Sequence, residues 1–213
     1  MHDNVDLSAP ILLLLGAPGA GKGTQAKRIA EAVGIPAIST GAIFRQNMAD
    51  NTPLGQRARQ YMDAGEFVPD AVTNPMVLAR LQAPDVASGC LLDGYPRTLD
   101  QARYLHRELA CQRREVALVI EIAVDYDEVL TRLLHRAQLE HRSDDTEPVI
   151  RHRLDVYREQ TEPMATYYAE QDKLVQVDGM GTIDEVWERI RAVLIEAGIA
   201  LRDTTDSGEC SGH

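Results

Sequence analysis

Cysteine is scarce. Only Cys90, Cys111 and Cys210 are present, far apart and with no Cys-x-x-Cys pair, which excludes a disulfide scaffold and a thiolate zinc knuckle. Positive charge is also in deficit: 22 Lys and Arg against 33 Asp and Glu leave a formal net charge of -11. A chain this acidic is not one that grips nucleic acid over a broad surface, because neutralising many phosphates takes a basic face. Long apolar runs are missing. The stretch Ile11 to Leu15 is far too short to span a bilayer. The first nine residues carry Asp3 and Asp6 and no basic stretch before an apolar run, so they do not read as a secretory leader. Aromatics make up only 5%, yet 44% hydrophobic and 26% charged residues are ordinary for a globular protein. Together these absences lead us to expect a cytoplasmic chain with no nucleic acid or membrane partner. A small phosphorylated ligand stays compatible with the acidic balance, since it needs only a few arginines and backbone N-H groups converging on one cleft.

What is present is an alternation of strand and helix patterns over 213 residues, enough for one substantial core with a small appendage. Pro10 to Leu15 is an apolar run ending in a glycine-rich turn, the mark of a strand buried on both faces. Further strands are expected at Ile35 to Ser39, at Cys90 to Leu92 ending on Asp93, at Val116 to Ala123 and at Leu174 to Val177. Helical patterns lie between them, starting with Lys22 to Val33, and such alternation predicts a parallel sheet with right-handed crossovers. In the last helix Ile183, Val186, Trp187, Ile190, Val193 and Leu194 recur at helical spacing, which assigns Trp187 to the core. Pro75 removes a helical hydrogen bond and places the start of the helix after Pro69-Asp70 nearer Asn74. From about Arg202 the chain is polar and without periodicity, as in a disordered tail.

Gly16-Ala17-Pro18-Gly19-Ala20-Gly21-Lys22-Gly23-Thr24 joins the first strand to the first helix, the context a phosphate-binding loop requires. Its glycines let successive N-H groups point inward at a phosphate, the helix N-terminus adds partial positive charge, and Lys22 is expected to bridge the β- and γ-phosphates. Gly23 intervenes where the strict motif has Ser or Thr directly after the lysine. A GTPase would carry an Asn-Lys-x-Asp stretch and a protein kinase a His-Arg-Asp loop, and the sequence has neither.

The loop with glycine after its lysine resembles that of the adenylate kinase family, and the resemblance continues in order from about Ile11 to Leu194. Ser39-Thr40-Gly41-Ala42-Ile43-Phe44-Arg45 is similar to the entry of the family's monophosphate site, with Ala42 where an acidic residue is usual. Tyr61 to Asp70 is similar to the rest of that small helical unit, and Leu91-Leu92-Asp93-Gly94-Tyr95-Pro96-Arg97-Thr98 with Gln101 to the family signature. Arg142-Ser143-Asp144-Asp145-Thr146 and then Arg153 match the lid and its trailing helix.

The resemblance implies an α/β P-loop three-layer fold: a five-stranded parallel sheet flanked by helices, with a helical NMP-binding segment and a short lid. The implied core is 10–38, 69–134 and 146–200, preceded by an N-terminal extension 1–9 and followed by a tail 201–213. The NMP-binding segment is 39–68 and the lid 135–145. Helices ending near Ala137 and beginning near Thr146 make that lid the short kind, without a structural zinc; His135 and His141 stand there where glycine is usual.

For ATP the resemblance implies Gly19, Ala20, Gly21, Lys22, Gly23 and Thr24, with Arg132, Arg136 and Gly181. For AMP it implies Thr40, Arg45, Glu66, Val68, Gly94, Arg97, Gln101, Arg142 and Arg153. Lys22, Arg97, Arg136, Arg142, Arg153 and Asp93 are the expected catalytic set, with Asp93 holding Mg²⁺ through water. Arg45 and Arg97 would clamp the acceptor phosphate, and the amide of Gln101 would suit the edge of adenine. The implied reaction is ATP + AMP = 2 ADP in a monomer, by in-line transfer to an acceptor already ionised and so needing no catalytic base. A kinase acting on UMP or CMP, and a nucleotide-binding regulator without turnover, are the alternatives.

Overall fold

The computed structural model describes residues 7–140 and 146–202, of which Tyr126 and residues 135–140 are described by backbone alone. Strands β1 (Ile11–Leu15), β2 (Ala37–Ser39), β3 (Cys90–Asp93), β4 (Val116–Ala123) and β5 (Leu174–Asp178) form one sheet in the order β2-β3-β1-β4-β5. All its pairings are parallel. The central strand β1 is buried throughout, as an apolar run in the middle of a covered sheet should be.

Alternate residues of β1 feed two cores. Ile11, Leu13 and Leu15 pack with α4 (Asp70–Leu81), α5 (Leu99–Cys111) and α8 (Pro163–Ala169), through Val77, Leu105 and Met164 among others. Leu12 and Leu14 pack with α1 (Lys22–Val33) and α9 (Ile183–Glu196), through Ile29, Ile190 and Leu194. Each such leucine contributes about 1.5–3 kcal/mol by leaving water. A third cluster, with Ala17, Val129, Leu133, Ile150 and Leu154, seats the turn after β1 on α6 (Tyr126–Glu140) and α7 (Glu147–Val156). A fourth, around Phe44, Ala58 and Val68, joins α2 (Thr40–Ala49) to α3 (Pro53–Ala64), with Val72 and Met76 of α4 packed against it.

Four expectations need correction. The second strand starts at Ala37 rather than Ile35, because Pro36 has no N-H to give a ladder, although its carbonyl still accepts from Leu91 N at 2.9 Å. Helix α4 begins at Asp70 rather than Asn74 and runs through Pro75. Its first turn is held by bonds to the residues just before it and by one distant tie: Pro69 O accepts from Val72 N and Thr73 N, the Thr73 hydroxyl donates to Val68 O at 3.0 Å, and Asp70 accepts from Gln101 Nε2 at 2.6 Å. Helix α6 continues to Glu140, past the expected end near Ala137. Ile183 is 54% exposed although it fits the helical period, since it sits in the first turn of α9, next to its Thr182 cap. Trp187 is half-buried against the α1–α9 core. No helix among the described residues is long and apolar enough to cross a membrane.

Candidate active site

The chain leaves β1 through a turn in which Gly16 has φ 141° and Gly21, at the N-cap of α1, has φ 86°. At Gly16 the constraint is also steric: a Cβ there would lie 2.7 Å from Ile122 O of the neighbouring strand. Gly21, Gly23 and Thr24 are exposed at the mouth of this loop, whereas Ala20 is buried and Gly19 partly so. Lys22 folds back over the loop, donating to Gly16 O at 2.6 Å and Ala17 O at 2.8 Å. Those bonds hold its ammonium against the backbone of the loop, where an incoming phosphate would compete with two carbonyls for it.

β3 runs beside β1 in register, with Leu14 opposite Asp93, so the carboxylate that ends β3 lies at the start of the loop. Asp93 is 9% exposed and, among the described residues, neither accepts a hydrogen bond nor joins an ion pair. A nearly buried carboxylate left unpaired in this way fits a hydrated divalent cation, because the cation's waters would supply the missing donors. No cluster of three or more His, Cys, Asp or Glu that could hold a metal ion occurs among the described residues.

From Asp93 the chain turns at Gly94, φ 77°, where a Cβ would press on the Arg97 guanidinium and the Thr40 hydroxyl. Thr40 donates to Gly94 O at 2.7 Å, tying the start of α2 to the end of β3. Arg97 Nε donates to the same carbonyl at 2.8 Å, and its guanidinium lies 5.0 Å from the centre of the Phe67 ring. The Arg45 guanidinium stands over Gly41, the residue next to Thr40. Both guanidinium groups thus lie near the first turn of α2, Arg45 over Gly41 and Arg97 at Gly94, whose carbonyl Thr40 also binds. Under α2 is a cavity lined by Thr40, Phe44, Glu66, Val68, Thr73, Gly94, Arg97 and Gln101, together with Gly41 and Met62; Arg97 is on its wall and Arg45 is not. It encloses about 30 Å³, room for about one water, so a purine ring enters only when its walls part.

Other expected residues lie away from that cavity. Arg132 is bound to Glu128 at 2.8 Å and to Gly179 O at 3.3 Å, beside the turn that contains Gly181. Arg153 packs its Cγ against Gly65, next to Glu66. The Glu66 carboxylate meets His152 Nε2 at 2.6 Å, which links the unit of α2 and α3 to α7. The side chains of His135 and Arg136, and all of His141 and Arg142, fall outside the described residues, as do residues 141–145 of the lid and the tail after Arg202.

Against the family models, residues 14–173 match that of the adenylate kinase domain. Among curated proteins, an adenylate kinase of Clavibacter michiganensis is 53% identical over 197 residues, covering 92% of this chain and 98% of its own. One from Kocuria rhizophila is 55% identical over 183 residues, covering 86% and 97%, and one from Pseudarthrobacter chlorophenolicus 53% over 189, covering 89% and 98%. The chain belongs to the adenylate kinase family. It is accordingly a phosphotransferase of the nucleoside monophosphate kinase kind, on the α/β P-loop fold that the sequence implied.

Three groups beside this adenylate kinase site were not singled out by sequence reasoning. Asp70 accepts from Gln101 Nε2 at 2.6 Å. Thr161 donates to Arg97 O at 2.9 Å from a π-helical turn, Tyr157–Thr161. Phe67 offers its ring to Arg97. Asp70 and Phe67 lie within the motif that carries the resemblance, so they were in view without a role; Thr161 had no local signal at all.

Proposed function

We propose that this chain catalyses the reversible transfer of the γ-phosphoryl group of ATP to AMP, giving two ADP. ATP would place its phosphates in the loop from Gly16 to Thr24, with Gly19, Gly21 and Gly23 offering N-H groups, and with the Ala20 N-H and Lys22 giving up their carbonyl partners for phosphate oxygens. Arg132, Arg136 and Gly181 would meet the rest of that nucleotide. AMP would take the cavity under α2, its phosphate between Arg45 and Arg97, its base near Thr40, Val68 and Gln101, with Gly94 and Glu66 on the walls. Arg142 and Arg153 would approach from the lid side. The observation that carries this reading is the pairing of Leu14 with Asp93, which sets the phosphate loop and the Gly94–Arg97 turn side by side at one edge of the sheet. Ligand crevices in such sheets lie outside the carboxyl ends of the strands, where the order of connection reverses.

The acceptor phosphate is an anion at neutral pH, so transfer needs alignment and charge stabilisation rather than a base. Arg97 suits this role: its backbone and its Nε are tied down, which orients a guanidinium, the group whose planar fork matches phosphate oxygens. Mg²⁺, held by Asp93 through its waters, would supply countercharge on the transferring phosphate. The segment 39–68 would move to admit AMP and, with 135–145, close to exclude water as a rival nucleophile. Acidic composition and the unpaired thiols of Cys90 and Cys111 suit a cytoplasmic monomer.

The test is to incubate purified chain with Mg-ATP and AMP, CMP or UMP separately and to measure diphosphate formed. AMP should be the preferred acceptor. Fast turnover with CMP or UMP and not AMP would make it a pyrimidine nucleotide kinase, and none with any acceptor a nucleotide-binding regulator.

A further inference from the structure

Gln101, only 2% exposed, is held at both ends of its amide. Oε1 accepts from the main-chain N-H of Arg97 at 2.8 Å, and Nε2 donates to Asp70 Oδ1 at 2.6 Å. An N-H can only donate and an ionised carboxylate can only accept, so the two contacts agree on one orientation of the amide. Half a turn about the side-chain axis would set NH₂ against N-H and carbonyl against carboxylate. Both partners are themselves fixed. Asp70 is in the first turn of α4, and Gln101 is in the first turn of α5, whose Thr98 cap accepts from Gln101 N at 3.2 Å.

Each end of the amide keeps spare capacity, a second hydrogen on Nε2 and a second lone pair on Oε1. Gln101 lines the cavity under α2, whereas Asp70 does not; it lines the open cleft behind, with Phe67, Thr98 and Asp100. Asp70 therefore reaches the cavity only through the glutamine.

We infer that Asp70 is a positioning residue that fixes the polarity of the donor and acceptor pair which Gln101 presents to the acceptor base, and so sets a preference for 6-aminopurine over 6-oxopurine monophosphates. This rests on the placement of AMP proposed above. Adenine offers an acceptor at N1 beside a donor at its 6-amino group. Hypoxanthine has nearly the same outline with the pair reversed, a donor at N1 and an acceptor at O6. A locked amide gives its NH₂ to adenine N1 and receives the 6-amino hydrogen at its carbonyl. Against hypoxanthine both contacts turn repulsive unless the amide rotates, and the Asp70 carboxylate opposes that rotation. An asparagine at position 70 has the same outline but can donate as well as accept, so the reversed amide is then opposed at one end only, by the Arg97 N-H.

The experiment compares wild type with Asp70→Asn, using AMP and IMP as acceptors at saturating Mg-ATP. The ratio of kcat/KM for AMP to that for IMP should fall by about tenfold or more, mainly through the KM of the acceptors, with the KM of ATP and the thermal midpoint little changed. A ratio preserved within about twofold overturns the inference. A wild-type chain that does not phosphorylate AMP would instead sink the placement of AMP itself. Should Asp70→Asn not fold, the wild type still decides. Its Gln101 side-chain amide, identified by proximity to the Arg97 amide in NMR, should exchange slowly with solvent; exchange as fast as that of exposed glutamines overturns the lock.

Discussion

The hydroxyl of Thr161 donates to the main-chain carbonyl of Arg97 at 2.9 Å, joining positions 64 residues apart. The N-H of the same residue is bound to Gln101 Oε1, so the Arg97 backbone is fixed on both sides of its Cα before its guanidinium meets any phosphate. Thr161 is 6% exposed. Thr161→Val keeps the shape and removes the donor, which leaves a carbonyl without a partner in a place water scarcely reaches. The expected cost is about 1–3 kcal/mol of stability. If the bond also aims Arg97, the KM for AMP should rise several-fold while that for ATP holds. Denaturant titration and steady-state kinetics read the two effects, and an unchanged KM for AMP would reduce Thr161 to a structural role.

The start of α9 makes a pH prediction. Thr182 N donates to Glu185 Oε2 at 2.7 Å and the Thr182 hydroxyl to the same oxygen at 3.0 Å, while Glu185 N donates back to that hydroxyl at 3.2 Å. The backbone bond first, and the hydroxyl bond second, hold the Glu185 carboxyl below the usual glutamate range. A carboxyl whose value is lowered on folding adds stability that is complete above its unfolded value and is lost as pH falls through the folded one. Glu185→Gln should therefore melt below wild type at pH 7, and the gap should close as pH drops toward the acid side of the carboxylate range. A gap of constant size from neutral to acid pH would show that ionisation of Glu185 contributes nothing to the cap.

Legibility followed burial. β1, β3 and β4 stood out because strands covered on both faces are continuous apolar runs, and the phosphate loop because its glycines and Lys22 follow such a strand directly. The start of α4 could be read only in part from its own segment. Pro75 argues against a helix at that point, and what outweighs it is partly at hand, the Thr73 hydroxyl on Val68 O, and partly distant, the tie from Asp70 to Gln101. The same holds within the site. Arg97 and Gln101 were visible in a motif of contiguous residues, whereas the groups that orient them, Asp70 and Thr161, are 31 and 64 positions from their partners. Position in sequence marks what can touch a ligand more readily than what steadies it.

Cys90 and Cys111 should differ sharply toward thiol reagents. Cys90 lies inside the sheet core, where burial pushes its thiol up to about 12, while Cys111 is exposed at the end of α5. At pH 8 only about one Cys90 in ten thousand would be thiolate, apart from the barrier to access. A variant carrying Cys111→Ser and Cys210→Ser should stay unreactive to a chromogenic disulfide over hours and react with one equivalent once denatured. Prompt labelling of the native variant would mean that the β3 core opens readily.

Arg97→Ala is the most direct trial of the acceptor clamp. The side chain lies along the turn after β3, bound to Gly94 O, and lines the cavity beside Thr40 at the start of α2. Removing it should cut phosphoryl transfer to AMP by about 10²–10³-fold, the usual loss when one preorganised charged donor is taken from a transition state. Binding of an ATP analogue, followed by calorimetry, should change by less than about threefold, because the loop residues Gly19 to Thr24 do not depend on Arg97. Arg97→Lys keeps the charge but loses both the fork and the bond from Nε to Gly94 O, so it should recover only part of the rate. Full activity in Arg97→Ala would mean that the acceptor phosphate lies elsewhere, and equal losses of rate and ATP affinity would place Arg97 on the donor nucleotide instead.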